Sequence, residues 1–213
     1  MPNEPVRHPV FARLYARLGA SAERNGVGAH RRSLLTGLSG SVIEVGAGSG
    51  LNFSHYPAAV THVVAVEPEP HLRSLAEQAA TAAPLPITIA DGIAEQLPAA
   101  DHQFDAVVAT LMLCSVRDPA AALREMHRVL RPGGELRFME HVRAESPGLR
   151  RIQRLADATC WPRCFGGCHA SRDPLAAIAA AGFRVGEVTT FRLPETPVPW
   201  PTSPHARGIA TRA

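Results

Sequence analysis

The most constraining feature of this chain is residues 42–50, which read Val-Ile-Glu-Val-Gly-Ala-Gly-Ser-Gly. Three apolar residues surround one acid, and a glycine then stands at every second position. This pattern predicts a buried parallel strand that enters a tight turn before a helix. Glycine suits such a turn because it adopts positive φ and lets a ligand approach the backbone. The segment therefore indicates an α/β fold with a ligand site at the end of its first strand.

The spacing of the glycines narrows the class of ligand. Gly50 follows the preceding glycine by two residues rather than three, so the run departs from the dinucleotide fingerprint Gly-x-Gly-x-x-Gly. Glu44 would repel a pyrophosphate, but it would attract a ligand that carries an amino group and a sulfonium. We therefore predict S-adenosylmethionine as the cofactor, held at the loop formed by Gly46, Ala47 and Gly48.

Two further acids stand at the ends of predicted strands. Glu67 ends the second apolar strand, 19 residues after Gly48, where a carboxylate can accept hydrogen bonds from both ribose hydroxyls. Pro68 then ends that strand. Asp91, followed by Gly92, ends a third strand and is placed to accept a hydrogen bond from the adenine amino group. A fourth strand and, after a Pro-Gly-Gly turn, a fifth complete the alternation of strands and helices.

On these motifs the chain resembles the class I S-adenosylmethionine-dependent methyltransferases over roughly residues 40–140. It is more closely similar to the small methyltransferases related to the methyltransferase-like 7 group of thiol methyltransferases, over most of the chain beyond residue 40. The segments that carry this closer resemblance are Asn52-Phe53, Tyr56-Pro57, Glu67-Pro68-Glu69-Pro70-His71, Leu113-Cys114-Ser115-Val116, Arg128-Val129-Leu130-Arg131-Pro132-Gly133-Gly134, Glu140-His141-Val142, Gly167-Cys168, Arg172, Pro204-His205 and Gly208. Human members of that group have Asp where this chain has Glu67, an exchange that a ribose-binding carboxylate tolerates.

The resemblance implies an α/β fold with a Rossmann-like, seven-stranded, mostly parallel sheet, helices on both faces and an antiparallel C-terminal edge. It also implies an enzyme that transfers a methyl group to a small-molecule acceptor, with a thiol as the first choice. Together, the motifs and the resemblance predict as cofactor-binding residues Glu44, Gly46, Ala47, Gly48, Asn52, Glu67, Pro68, Asp91, Gly92, Ile93, Thr110 and Leu111.

The chain is expected to form a single domain, in which residues 1–40 are a helical lid segment and residues 41–213 are the methyltransferase domain. In the first segment, apolar residues recur at helical spacing on both sides of a glycine-rich break at 26–28. Relatives use such a segment to cover the cofactor, although packing against the sheet agrees equally well with the pattern. Tyr15 and Arg31 are the predicted lid residues.

Charge and hydropathy argue against several other classes of protein. The formal net charge of +3 is spread along the chain, and basic pairs occur only at Arg31-Arg32 and Arg150-Arg151, so we expect no nucleic-acid partner. There is no run of about 18 apolar residues, so we expect no membrane span. The N-terminus lacks the layout of a signal peptide. We therefore expect a cytoplasmic protein with reduced thiols.

The cysteines could suggest a metal site. Cys160, Cys164 and Cys168 lie four residues apart, and His169 is adjacent. However, Pro162 and a pair of glycines interrupt any continuous helix there, and four-residue steps are loose for a zinc site. We therefore expect packing roles for the cysteines, with Cys168 lining the active site, and we predict no metal.

The candidate catalytic residues are His141 and His205. His141 follows the fifth strand, at the edge where open parallel sheets bind ligands, and His205 and His169 lie in segments that can fold over that edge. A neutral imidazole there could take a proton from the attacking group. Equally, each histidine could simply bond to the backbone. Methyl transfer also needs no strong base when the reactants are aligned, because the sulfonium is already activated.

Two other functions remain open. The enzyme could act as an O- or C-methyltransferase on a small phenolic or quinone-like metabolite. The chain could also be a non-catalytic module that binds S-adenosylmethionine, since intact cofactor motifs do not establish turnover. A nicotinamide-dependent oxidoreductase is disfavoured by the glycine spacing and by Glu44, and arsenite methylation is disfavoured by the spacing of the cysteines.

Overall fold

The computed structural model describes residues 8–196 and 199–213. Residues 1–7, which begin the predicted lid segment, lie outside the described residues. One seven-stranded sheet, with strand order β3-β2-β1-β4-β5-β7-β6, organises the described chain. The strands are β1 (Gly40–Val45), β2 (Val60–Val66), β3 (Ile87–Ala90), β4 (Phe104–Thr110), β5 (Leu130–His141), β6 (Phe183–Arg192) and β7 (Pro204–Arg212).

The direction of the strands confirms the predicted Rossmann-like sheet. Neighbouring strands run parallel from β3 through β5, whereas β7 runs antiparallel to both β5 and β6. The chain order of the strands reverses between β1 and β4, and open α/β sheets bind ligands at such a reversal, beyond the carboxyl ends of the strands. The topology therefore places a ligand crevice directly after the glycine-rich run.

Strand β1 is covered on both faces, which explains its nearly continuous apolar sequence. Ile43 and Val45 pack with Phe138 in the core on one face of the sheet. Val42 packs with Leu35 in the core on the other face. Since side chains alternate along a strand, Glu44 points to the same face as Val42.

The described residues form seven α-helices, some of which begin after an acidic N-cap residue. They are α1 (Pro9–Ala22), α2 (Gly28–Leu35), α3 (Pro70–Thr81), α4 (Pro119–Val129), α5 (Pro147–Asp157), α6 (Trp161–Cys164) and α7 (Pro174–Ala180). Asp118 accepts a hydrogen bond from the backbone N of Ala121 at 3.0 Å, and Asp173 accepts one from that of Ala176 at 3.1 Å. Each aspartate caps a helix whose first residue is proline, a position that needs no N–H donor. None of the helices in the described residues is long and apolar enough to cross a membrane.

The N-terminal segment divides into two parts with different packing. Helices α1 and α2 are joined by a π-helical turn, Glu23–Val27, which is kinked at Gly26, where φ is 109°. Helix α2 belongs to the core. The side chain of Leu34 is buried, and Arg137 Nη1 donates to the carbonyl oxygen of Leu34 at 3.1 Å. A lid function for residues 1–40 stays a prediction, and the packing of α2 confines it to α1.

Candidate active site

A cleft of about 710 Å³ lies at the carboxyl ends of β1, β2 and β4. This volume is within the range of ordinary small-molecule sites. The predicted cofactor-binding residues that line the cleft are Gly46, Gly48, Glu67, Pro68, Gly92, Ile93, Thr110 and Leu111. Residues that the sequence had not assigned to this site also form its wall, among them Phe11, Glu69, Leu72, Met112, Ser115 and Gly166.

The loop after β1 brings bare backbone to the cleft. Gly46 has a φ of 71°, and a Cβ atom at this position would lie 2.9 Å from the Cβ of Met112. Only glycine satisfies both the backbone angle and the close approach. The backbone N–H groups of Gly46 and Ala47 both donate to the carbonyl of Val66, at 2.9 and 3.1 Å, which fixes the loop to the end of β2. Ala47 therefore helps to hold the loop in place but does not line the cleft.

Glu67 is a fixed carboxylate on the wall of the cleft. Its Oε2 accepts from the backbone N of Gly48 at 2.8 Å, and its Oε1 accepts from that of Glu69 at 2.9 Å. Burial raises the pKa of Glu67, and the two N–H donors oppose this effect. Each carboxylate oxygen has a second lone pair, so both oxygens can still accept a hydrogen bond from a ligand. The arrangement suits a ligand with two neighbouring hydroxyl groups.

Glu44 and Asn52 lie behind the glycine loop, and neither reaches the wall of the cleft. Asn52 Nδ2 and the Tyr56 hydroxyl donate to the carboxylate of Glu44, at 2.9 and 2.7 Å. Asn52 also donates to Thr110 Oγ1 at 2.9 Å and accepts from Arg31 Nη1 at 3.0 Å. Burial raises the pKa of Glu44 to about 7, against the effect of its two donors. This network supports the loop, and direct contact of either residue with the cofactor stays a prediction.

Asp91 stands at the outer rim of the cleft. Its side chain is 71% exposed, and its Oδ1 pairs with Arg73 Nη1 at 2.9 Å. The next two residues, Gly92 and Ile93, line the wall. The structure therefore brings this segment to the cleft as expected, while the contact of Asp91 with adenine stays a prediction.

The turn after β4 is held by Glu140, a residue to which sequence reasoning gave no role. Leu111 has a φ of 56°, which is uncommon for a bulky residue. Glu140 Oε1 accepts from the backbone N of Met112 and of Leu113, at 2.9 and 3.0 Å. Because an acid within a strand gives no sign of the backbone groups it will bind, this support was not predictable from local sequence.

Helix α1 and the segment after α6 form another part of the cleft wall. The rings of Phe11 and Tyr15, one turn apart on α1, lie with their centroids 5.7 Å apart. Gly166 lies so close to Phe11 that a Cβ atom on it would fall 2.5 Å from the ring. Tyr15 lies over Gly48, where an added Cβ would be 3.5 Å from its ring. The predicted lid residue Tyr15 is thus on the cleft wall, whereas the predicted lid residue Arg31 is buried.

Arg172 places a cationic group on the wall of the cleft. Its Nη1 donates to the carbonyl oxygens of Leu113 and Val116, both at 2.8 Å. The ion pairs found among the described residues do not include Arg172. Its guanidinium therefore keeps positive charge that a bound anion can use.

The two predicted catalytic histidines lie outside the cleft wall. His141, at the end of β5, lines a separate cavity of about 150 Å³, and its Nδ1 lies 3.6 Å from the Sγ of Cys168. His205 is buried, its Nδ1 lies 2.8 Å from the carbonyl oxygen of Ser203, and burial lowers its pKa to about 3. Such a group is a weak proton acceptor at neutral pH. His8 and His169 line the cleft instead. The catalytic roles of His141 and His205 stay predictions.

A parallel sheet with a bare glycine loop after its first strand, facing a fixed carboxylate after its second, is the architecture of class I enzymes that use S-adenosylmethionine. The methyltransferase domain family matches residues 43–138 of this chain. Human thiol S-methyltransferase TMT1A is 34% identical over 178 residues, which are 81% of this chain and 70% of that protein. Mouse thiol S-methyltransferase TMT1B is 39% identical over 187 residues, 84% of this chain and 74% of that protein.

The chain belongs to the family of S-adenosylmethionine-dependent methyltransferases that includes these thiol S-methyltransferases. The crystal structure of an S-adenosylmethionine-dependent methyltransferase from Thermotoga maritima, described as a possible histamine N-methyltransferase, shares the fold. The two have a TM-score of 0.70 and 22% identity, over 95% of this chain and 96% of the other. The cofactor of the enzyme is S-adenosylmethionine, and the two held oxygens of Glu67 suit its pair of ribose hydroxyls.

Proposed function

We propose that this enzyme is a thiol S-methyltransferase, which methylates the sulfur of a small, fairly apolar thiol. Two observations support the proposal. Relatives that are 34–39% identical and align over 81–84% of this chain are named thiol S-methyltransferases. The wall of the cleft also carries the aromatic rings of Phe11 and Tyr15 and the cationic side chain of Arg172. A cleft wall that combines aromatic rings with a cation suits an acceptor that is apolar in its body and anionic at its reacting atom.

The proposed cofactor contacts follow from the positions of the wall residues. Glu67 accepts from the ribose hydroxyls, and the backbone of Gly46 and Gly48 borders the methionine part. Gly92 and Ile93 border the adenine. Bound S-adenosylmethionine supplies an electrophilic methyl group on a sulfonium, so the protein has to bind, align and desolvate the two reactants.

The proposed chemical task of Arg172 is to favour the ionised acceptor. The thiolate is the nucleophile, and an ordinary thiol with a pKa of about 8.5 is only a few per cent ionised at pH 7. A cation within about 4–6 Å lowers the pKa of an acid by roughly 1–3 units. Arg172 therefore raises the thiolate fraction at neutral pH, and no histidine has to act as a strong base.

Replacing Arg172 by Gln is expected to lower kcat/KM for an alkyl thiol by about 10- to 100-fold at pH 7, because the thiolate loses its cation. The defect should shrink as pH rises past the ordinary thiol pKa of about 8.5, where the acceptor ionises unaided. The measurement is a pH–rate profile from pH 6 to 10, with binding of S-adenosylhomocysteine followed by calorimetry.

Arg117→Gln is the matched control, because Arg117 also lines the cleft but is exposed. It should change neither the rate nor its pH dependence. A defect of Arg172→Gln that is equal at every pH would contradict thiolate stabilisation. Methylation of a matched phenol, with no product from any thiol in the panel, would replace the thiol proposal by the O-methyltransferase alternative.

The proposed lid function of α1 predicts a defect confined to its cleft-facing side. Phe11→Ala, beside Gly166, should raise the KM for the acceptor, and Tyr15→Ala, over Gly48, should raise the KM for S-adenosylmethionine. Each rise should be about 10-fold, as expected for about 1–2 kcal/mol of lost apolar contact. Leu14→Ala, on the same helix but 47% exposed, should behave as the wild type. Steady-state kinetics test this, and equal effects of all three variants would assign α1 a general packing role instead.

A further inference from the structure

Three separate segments bring metal-binding side chains together beside the cleft. Cys114 follows β4, His141 ends β5, and Cys168 lies between α6 and α7. The sulfur atoms of the two cysteines and a ring nitrogen of the histidine all lie within 4.8 Å of one another. Both cysteines are buried free thiols. The proposed methyl transfer assigns a role to none of the three side chains.

The spacing of these atoms agrees with a tetrahedral metal site. Zinc binds cysteine sulfur at about 2.3 Å and histidine nitrogen at about 2.0–2.1 Å, so a tetrahedral angle sets the sulfur–nitrogen separation at about 3.6 Å. The Sγ of Cys168 and the Nδ1 of His141 are 3.6 Å apart. The same geometry requires the two sulfur atoms to lie about 3.8 Å apart. This agrees with their separation here, which is at most 4.8 Å.

We propose that Cys114, His141 and Cys168 form a zinc site with three protein ligands and a fourth position open to the adjoining cavity. That cavity, of about 150 Å³, is lined by Cys114 and His141 together with Arg172. It has room for a water molecule or a small thiol as the fourth ligand. Three protein ligands and an open position are an arrangement that zinc enzymes use, and two cysteines with one histidine is a known set.

The charge of the two cysteine thiolates and the orientation of the His141 ring also agree with a zinc site. Two thiolates neutralise a divalent cation, so the occupied cluster adds no net charge to a buried region. The ring of His205 packs edge-on against that of His141, with centroids 4.7 Å apart and the planes at 71°. Such a neighbour fixes the orientation of a metal-binding imidazole, as outer partners do in metal sites.

A metal here would control the shape of the cleft wall formed by residues 166–172. Cys168 directly follows Gly167, which lines the cleft, and the backbone N of His169 donates to the carbonyl of Cys114 at 2.8 Å. Zinc would therefore tie the segment 166–172 to the end of the sheet. This role goes beyond the proposed function, because it holds whichever acceptor the enzyme methylates.

The experiment loads the reduced, metal-free full-length protein with zinc or cobalt ions. We expect one zinc per chain by elemental analysis, and a cobalt spectrum with thiolate charge-transfer bands and the strong visible bands of a tetrahedral site. Cys114→Ser and Cys168→Ser should each weaken zinc binding by more than about 100-fold, the upper range for loss of an outer partner alone. The double variant Cys160→Ser/Cys164→Ser is the matched control, since both its cysteines are exposed, and it should bind like the wild type.

A second measurement does not depend on the folding of variants. Zinc should protect Cys114 and Cys168 of the wild-type protein from alkylation, as mapped by mass spectrometry, and leave Cys160 and Cys164 reactive. The proposal is overturned if the wild type binds no zinc, or if the control double variant is the one that loses it. A disulfide between Cys114 and Cys168 in protein purified without oxidant would also overturn it.

Discussion

Replacing Glu67 by Ala is expected to weaken the binding of S-adenosylhomocysteine by about 10- to 150-fold, equivalent to roughly 1.5–3 kcal/mol for lost hydrogen bonds to a charged group. The expected loss is large because both carboxylate oxygens are already held by the backbone N–H groups of Gly48 and Glu69, at 2.8 and 2.9 Å. The carboxylate is thus oriented before the ligand arrives, and little entropy is lost when it binds. Isothermal calorimetry measures the change directly.

Two companion variants separate binding from folding. Glu67→Gln keeps the size of the side chain and one acceptor oxygen, so its loss of affinity should be smaller than that of Glu67→Ala. Glu77→Ala, on the exposed side of α3, should leave affinity unchanged. NAD should give no measurable heat with any of these proteins. Unchanged affinity in a folded Glu67→Ala protein would remove Glu67 from the ribose site.

The second large effect concerns stability and pH, and it arises from Glu44. Burial raises the pKa of Glu44 to about 7, whereas a glutamate in the unfolded chain titrates near its ordinary value of about 4.3. Between these two values the folded chain binds more protons than the unfolded chain, so the free energy of unfolding falls as pH rises. The stabilising contribution of the protonated form is full below about pH 4 and is lost by about pH 8. The full shift in pKa corresponds to roughly 3–4 kcal/mol of unfolding free energy.

Glu44→Gln is expected to remove this contribution to the pH dependence. The variant should gain stability relative to the wild type as pH increases, with a difference between pH 5 and pH 8 of up to about 3 kcal/mol. Denaturant unfolding at several pH values gives this difference between the two proteins. The other buried acids with raised pKa values, Glu67 and Glu140, contribute equally to both proteins and cancel. Parallel curves for wild type and variant would contradict the assignment, and Glu77→Gln is the exposed control.

The features that the sequence predicted correctly depend on local pattern. The alternation of strands and helices predicted the sheet, and the position of Glu67 after a strand brought it to the cleft. The position of Glu44 was harder to predict. Period-two alternation shows that Glu44 shares a face with Val42, but it does not show that this face lies against Asn52 and Tyr56 rather than the ligand. That distinction depends on where the chain returns after the loop.

The part of the cleft wall where α1 meets the segment after α6 could not be predicted from local pattern, because its residues are distant in the chain. Phe11 lies against Gly166, although most of the sheet lies between them in the sequence. This contact depends on how α1 packs. The grouping of Cys114, His141 and Cys168 likewise requires the ends of two strands and a later turn to converge. The packing roles predicted for Cys160 and Cys164 are wrong, because both side chains are exposed.

The position of β7 in the sheet sets an order for folding. Strand β6 precedes β7 in the chain, yet β7 lies between β5 and β6, and in the described residues β6 pairs with no other strand. During synthesis, β6 therefore has no partner until Pro204–Arg212 has left the ribosome. The parallel strands β1 to β5, among them β1, β2 and β4 at the cleft, are complete much earlier. The cofactor half can thus assemble on the nascent chain, while β6 and the segments beside it join the sheet last.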